Sequence, residues 1–480
     1  MKKIHSRDCG SAVVWTVLTM VILSLLATEV LRTVAGRFQV GVQAGSWQQA
    51  LTASEAGVDL AVVELRKSLY PAPNHAWEGW TTAPGNGVIS HSLTTLPNAG
   101  MASTPLTIEV AVDAPANLVN PINPSYQYYR IRTLGSIPLT GPPRIAFNKQ
   151  DNKLRKLTLR TQRFIDDIFT SETSAPHAAR RIEAVVKPLS SFNQAILAVG
   201  ALDFNNQNIV VDSYDSRDST KSTNGLYDFT KRQKNGNIAT DGTILDAGGA
   251  YVYGDVSTNS GTATGVEHVT GEQRTDFYQA PIPIADPSWS SINPSPSTIT
   301  GTATINASPT QGSASSRYLL NNITLNSGNL TIAGAAGGST TYIEIHVTGD
   351  ITVTGNGQIT VAPGVKATIY FDGNVNIEGN GIISASNQPG NLLLYGVQPA
   401  IEESAPYVKL GGNGAISAAI YAPGHDVTVK GGGSGGEVLG SVVGKTVTMN
   451  GVTKLHYDEA LGLAGPVNNY EIASWFEDTR

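Results

Sequence analysis

The sequence is short of charge and of sulfur. Lys, Arg, Asp and Glu make up 15% of the 480 residues, and there are four Met and one Cys. With Cys9 alone, no disulfide can form within the chain, so stability must come from packing or stacking. Cys9 also precedes the apolar run rather than following it, so it is not placed as a lipoprotein acceptor. The balance of 32 basic against 38 acidic residues leaves a net charge of −6, which gives no overall basic bias toward nucleic acid. No H-E-x-x-H, Walker-type loop or Cys pair is present. The eight His are scattered, which removes the usual basis for a His-based metal site. No cofactor is expected. Gly, by contrast, is abundant at 50 of 480, about 10% against an average near ~7%. Low charge with much Gly, Thr, Asn and Val points to β-rich, turn-dense structure rather than a helical enzyme.

One long hydrophobic run breaks this pattern. Residues 9–28 carry no charge, and at ~1.5 Å per helical residue they just span a ~30 Å hydrocarbon core. Lys2, Lys3 and Arg7 precede the run; Glu29, Arg32 and Arg37 follow it. Three readings compete: a secretory signal peptide, a plain single-pass anchor with the N-terminal positives on the cytoplasmic side, and a pilin-type N-terminus. A signal peptide has a shorter apolar region and a small-x-small stop, whereas here a helical pattern continues through Arg32 to Leu69. Glu29 is read as an interfacial residue. Trp47, Leu51, Ser54, Val58, Ala61, Leu65 and Leu69 recur at spacings of three and four and form one face. Gly36, Gly41 and Gly45, at ~1 kcal/mol each relative to Ala, predict a bend or a melted turn. Pro71 and Pro73 end the helix.

The Gly10–Ser11 junction, a basic leader followed at once by the apolar run, resembles the N-terminus of type IV pilus and type II secretion minor pilins. The look is nearest to PilX-like accessory proteins and K-type minor pseudopilins. Ala50-Leu51-Thr52-Ala53-Ser54-Glu55-Ala56-Gly57 is similar to the A-x-x-A-E-A-G signature of the PilX-like helix, with Ser54 inserted. The resemblance implies leader cleavage between Gly10 and Ser11, with Ala53, Glu55, Ala56 and Gly57 as the helix signature. Trp15 stands where major pilins carry a Glu, as in the PilX and K-type subset.

Beyond the helix, Thr107–Val112, Tyr126–Thr133, Lys156–Phe164 and Arg181–Val186 read as strands of a small α+β head, with Pro115, Pro121, Pro124 and Pro138 marking loops. The basic stretch Lys149–Arg160 reads as a solvated strand edge. From Pro188 charges thin out and Gly-Asn-Gly turns appear. Residues 349–372 and 373–396 align without gaps as G-[DN]-[IV]-x-[VI]-x-G-N-G-x-I, and similar cores begin at Leu330, Val408, Val427 and Val447. Such short alternating segments predict a parallel β-solenoid. Ile351 and Val353 would stack on Val375 and Ile377, and Thr352, Thr354 and Asn376 would face water. An insertion is expected near Pro399–Pro406, with Glu402 and Glu403. Residues 181–188, 195–200, 211–216, 440–443 and 455–460 resemble a domain of undefined function found after PilX-type anchors. The organisation expected is a leader (1–10), a transmembrane and amphipathic helix (11–70), a head (71–187), a solenoid (188–465) and a tail (466–480).

Asp212, Asp215 and Asp218 in D-S-Y-D-S-R-D could bind Ca²⁺ through oxygen ligands, but the run lacks EF-hand spacing and reads better as turn capping. The charged residues of 330–396 are thin for a sugar-cleaving cleft. The chain is therefore read as a non-enzymatic, pilin-like accessory component of a type IV pilus or type II secretion-like system. It would be held in a bacterial inner membrane as a single-pass protein, with its bulk periplasmic or extracellular. The expected partners are the lipid bilayer, other pilin-like subunits or assembly proteins, and a surface glycan or envelope protein, but no nucleic acid. The alternatives are an anchored β-solenoid protein outside any filament, or a polysaccharide-active enzyme.

Overall fold

The computed structural model describes residues 9–70, 73–83, 87–93, 106–115, 126–138, 177–289, 297–334, 339–378, 380–384, 386–397, 405–411, 416–431 and 437–478. The chain is mainly β with one long N-terminal apolar helix, Cys9–Lys67. That helix runs unbroken through Gly36, Gly41 and Gly45, so the expected break is absent. A helix already nucleated on both sides absorbs roughly 1 kcal/mol per Gly without melting. Arg66 and Lys67 occupy its last turn, where the helix dipole favours positive charge.

The helix has two environments. From Val13 to Phe38 its large apolar side chains are exposed on every side. From Ala50 on, one face packs against a six-stranded sheet. Val58, Ala61 and Leu65 meet Ile108, Val110, Ile131, Ile182 and Val186 in one buried cluster. The expected stripe is thus largely the packed one, although Trp47 stays 42% exposed, under the guanidinium of Arg180. The sheet order is Thr81–Thr82, Ile89–Leu93, Thr107–Asp113, Tyr129–Pro138, His177–Ser190, Val467–Asp478, with every neighbour antiparallel. Pro138, expected in a loop, ends a strand and pairs with His177. The residues read as a tail form a twelve-residue strand beside His177–Ser190. Alternation in V-N-N-Y-E-I-A-S-W-F-E-D is too weak to show this. Lys149–Arg160, Lys156–Phe164, Pro71, Pro121, Pro124, Glu402 and Glu403 lie outside the described residues.

The rest of the chain forms parallel ladders. Ile351, Thr352 and Val353 pair in register with Val375, Asn376 and Ile377. The four apolar residues are at most 2% exposed, while Thr352, Thr354 and Asn376 are half-buried rather than open to water. Leu330 is not the rung before Ile351. It stacks on Ile359 on another side, and Ile351 stacks on Ile323. The misreading arose because L-T-I-A-G and I-T-V-T-G look alike although they sit on different sides. Arg317–Leu325 and Ile416–Lys430 are long enough to belong to two ladders each. With the six shorter strands between them they close a ring of eight parallel strands.

Spatial order does not follow chain order. One ladder runs from Ser297–Thr300 to Glu437–Asn450 and then continues into Ile196–Ala198, Ile238–Thr240, Val256–Ser257 and Gln273–Arg274. The chain therefore leaves the head into the middle of the stack and builds outward to residue 274. It then crosses to the far end and builds back to the middle. Ten inter-strand steps of ~4.8 Å make that crossing roughly 48 Å. The 23 residue steps from 274 to 297 reach about 75 Å when extended. The crossing strap is pinned along its path. Phe277 N donates to Thr258 O (3.1 Å) and Gln279 N to Asp241 Oδ1 (3.2 Å). Ile282 N donates to the Tyr421 hydroxyl (2.8 Å), and Arg317 lies over the Trp289 ring.

The G-[DN] element of the repeat has a direct cause. Asn322 Oδ1 accepts Asp350 N (2.8 Å), Asp350 Oδ1 accepts Asn374 N (2.7 Å), and Asn374 Oδ1 accepts Tyr407 N (3.1 Å). Asn322 and Asp350 also fill the space where a Cβ on the next rung's glycine, Gly349 or Gly373, would go, whereas Asn374 faces Pro406–Tyr407. On Gly373 that Cβ would lie 2.6 Å from Asp350 Oδ1. The same device recurs where no repeat was expected: Asn237 Oδ1 accepts Asp255 N and Asp255 Oδ1 accepts Glu272 N, both at 2.8 Å.

Candidate functional site

Two regions combine the residues singled out from the sequence. The first is the helix–sheet contact. Ala53 and Gly57 face the sheet, whereas Glu55 and Ala56 face solvent. A Cβ on Gly57 would lie 3.0–3.1 Å from Ile108, Thr133 and Val110. Ser54 is fully buried; its hydroxyl donates to Arg180 O and accepts from Gly135 N, both at 2.7 Å. A Cβ on Gly135 would run into the Ala50 carbonyl. The small residues of A-L-T-A-S-E-A-G thus let helix and sheet backbones touch, and the inserted Ser54 supplies their polar link. Gly10 and Ser11 lie in the first turns of the helix.

The second region is the seam where the two halves of the stack meet. Val210–Tyr214 pairs in parallel with Lys454–Asp458, which sets His456 opposite Asp212 and Asp458 opposite Tyr214. The segments 211–216 and 455–460, some 240 residues apart in sequence, are therefore one place in space. His456 Nδ1 bonds Asp212 Oδ1 at 2.6 Å, and the Tyr227 hydroxyl donates to Asp212 Oδ2 at 2.7 Å. The Tyr227 ring stacks on His456 at 3.6 Å. Both members of the Asp–His pair are at most 2% exposed. His456 Nε2 is buried without a partner. A carboxylate on Nδ1 fixes which ring nitrogen is left over, as in a general base. Here the remaining nitrogen is buried, and the pair joins the two halves.

Glu459 extends the seam. Its carboxylate accepts from Ser213 Oγ (3.0 Å), Asn235 Nδ2 (2.8 Å) and Lys221 Nζ (3.4 Å). Asp458 Oδ1 accepts from Ser216 N and Ala460 N, both at 3.0 Å, and burial holds its carboxyl above the usual range.

The three candidate Ca²⁺ ligands do not converge. Asp212 is committed to His456 and Tyr227. Asp215 holds Arg217 through two bonds of 2.8 Å; burial works to raise its carboxyl, but Arg217 more than offsets this and leaves it low. Asp218 caps Thr220 through its N–H (2.8 Å) and hydroxyl (2.7 Å), which lowers its carboxyl. Among the described residues, no group of three or more His, Cys, Asp or Glu is arranged to hold a metal. Glu459 falls in the segment 455–460 singled out from the sequence, whereas Tyr227 carries no such signal. Tyr227 bonds Asp212 only 15 residues away, but its stacking partner His456 and the partners of Glu459 lie more than 200 residues along the chain, where only the seam register brings them together.

The described residues include one helix long and apolar enough to cross a membrane, Val13–Lys67, with none of its most apolar window buried. Residues 297–463 match a family described as a domain of unknown function, DUF7305. The match begins at one end of the stack and stops just past the seam, so it holds the second half without the rungs that complete it. No curated protein matches the chain. Among solved structures the chain is similar to the crystal structure of the competence-associated pilin ComZ from Thermus thermophilus. The identity is 13%, over 90% of this chain and 97% of that one, with a TM-score of 0.22. A likeness that weak leaves the fold to be read from the chain's own elements.

Proposed function

We propose that the chain is a pilin-like accessory subunit of a type IV pilus or type II secretion-like apparatus. It displays the parallel stack, read as a β-solenoid, at the cell surface or filament tip, and does so without catalysis. The observation that carries this is the division of the helix. Its first half is apolar and bare on every side, and its second half is fixed to a sheet through small residues. A helix apolar all round suits both lipid and the interior of a helical bundle. Cleavage at Gly10–Ser11 would free that helix to leave the bilayer. A stack of this bulk on every subunit would crowd a filament lattice, which favours a tip or accessory position.

The test is to purify surface filaments and probe for this chain, in the parent strain and with Glu55→Lys. Glu55 is exposed and makes no contact with the head sheet, so its charge reversal should reduce co-purification severalfold while leaving membrane levels unchanged. The mature N-terminus should be Ser11 by mass spectrometry. Absence from filaments, together with normal filaments in a deletion strain, would leave an anchored surface protein instead.

A further inference from the structure

One broad side of the stack presents a regular polar surface. Its middle column is Thr324, Thr352, Asn376, Lys409, Thr428 and Thr448, each paired in register with the next. On one flank run Asn322, Asp350 and Asn374, tied rung to rung as described above. On the other run Asn326, Thr354 and Glu378, with the Thr354 hydroxyl donating to Asn326 Oδ1 at 2.6 Å. All of these side chains are half-buried or exposed. The residues between them, such as Ile323, Ile351, Val375, Val427 and Val447, are at most 2% exposed and lock the surface in place. At ~4.8 Å per rung and ~6.8 Å between columns, the surface measures roughly 24 by 14 Å.

We propose that this face binds a linear, neutral, hydroxyl-rich polymer, a glycan laid along the stacking direction; this deepens the display reading and rests on it. Hydroxyl and amide groups both donate and accept, which matches sugar hydroxyls. Across the six rungs three carboxylates (Asp350, Glu378, Asp426) face two ammonium groups (Lys409, Lys430), so neither a polyanion nor a polycation is favoured. The backbone groups of these strands are already paired within the ladders, so the face cannot take up another strand by augmentation. An apolar peptide finds little beyond Tyr407, whose ring is covered by Lys409 at 4.1 Å. Because the grid is rigid, binding orders few side chains.

The full chain, purified in detergent, is tested for retention on microcrystalline cellulose, chitin and curdlan, with alginate as the anionic control. Retention on at least one neutral polymer is expected, and it should survive about 0.5 M salt, where exposed charge pairs are screened. Thr352→Arg with Thr428→Arg should lower it about tenfold or more, while Thr331→Arg on another side leaves it unchanged. Should the double variant fail to fold, Thr428→Ala with Thr448→Ala replaces it, with a loss of about threefold. Failure to be retained on all three neutral polymers overturns the proposal. So does equal loss with Thr331→Arg, or preference for alginate that vanishes in salt. Filament co-purification is read separately, so a chain that joins filaments but ignores these polymers sinks this inference alone.

Discussion

At the scale of single residues, the chain places polar groups in its interior and satisfies most of them across long sequence distances. His425 shows what burial of one costs. It is fully buried, edge-on to the Phe371 ring at 5.0 Å, and a Cβ on Gly396 would lie 2.7 Å from its ring. Burial lowers its pKa from 6.5 to about 4. The folded chain therefore keeps His425 neutral where the unfolded chain binds a proton. The stability this represents is present above pH 6.5 and lost as pH falls toward 4. A shift of this size corresponds to about 3 kcal/mol. Unfolding free energies at pH 7 and pH 4.5 should differ less in His425→Leu than in the parent, by about 2 kcal/mol, since this window spans most but not all of the shift. An equal pH response in both would show that His425 does not carry this loss.

Among the elements, the rungs depend on glycines that leave room for a neighbour's side chain. Gly373→Ala should destabilise by about 1–3 kcal/mol, because the new Cβ meets Asp350 Oδ1 in a packed ladder. Asp350→Ala should then cost less than it does in the parent, since it removes one of the clashing atoms, while the Gly349 carbonyl oxygen stays at the same 2.6 Å. Melting curves of both singles and the double measure this coupling, and simple additivity would refute the account. This device also explains what sequence could show. The period near 24 residues in 349–396 was legible because inward apolar residues, Asx and Gly recur together. The rungs of 196–274 repeat the same logic with Gly236, Gly254 and Gly271, but at shorter steps of 18 and 17 residues, with few inward residues per rung. Their periodicity therefore falls below what alternation reveals. The long helix and its packed stripe were plain, because period 3.6 over many turns has few competitors. The last head strand was not, because half its side chains are exposed.

For the whole molecule, the decisive feature is that the chain enters and leaves the stack at its middle. The two halves meet through the ladder at Val442–Gly444 and Ile196–Ala198, through the Asp212–His456 pair and through the head, where Val467–Asp478 pairs with His177–Ser190, and the strap merely spans them. A site-specific protease sequence inserted between Pro287 and Ser288, both short of the Trp289 clasp, should therefore yield two fragments that co-elute after cleavage and separate only on denaturation. Fragments that part under native conditions would mean the strap, not the seam and the head sheet together, holds the halves. The Asp–His pair and its register stayed hidden in the sequence because a seam between segments so far apart leaves no local period. The same topology sets a clock. The first rungs, with Ile196, Leu202 and Val211 destined to be fully buried, are made about 245 residues before the register partners that cover them. At roughly 5–20 residues per second that is about 12–50 s during which an apolar ladder edge is finished but unmatched. Any newly made copy nearby presents the same bare edge in that interval, so the rate of synthesis and the spacing of neighbouring chains bear directly on how much of this protein matures.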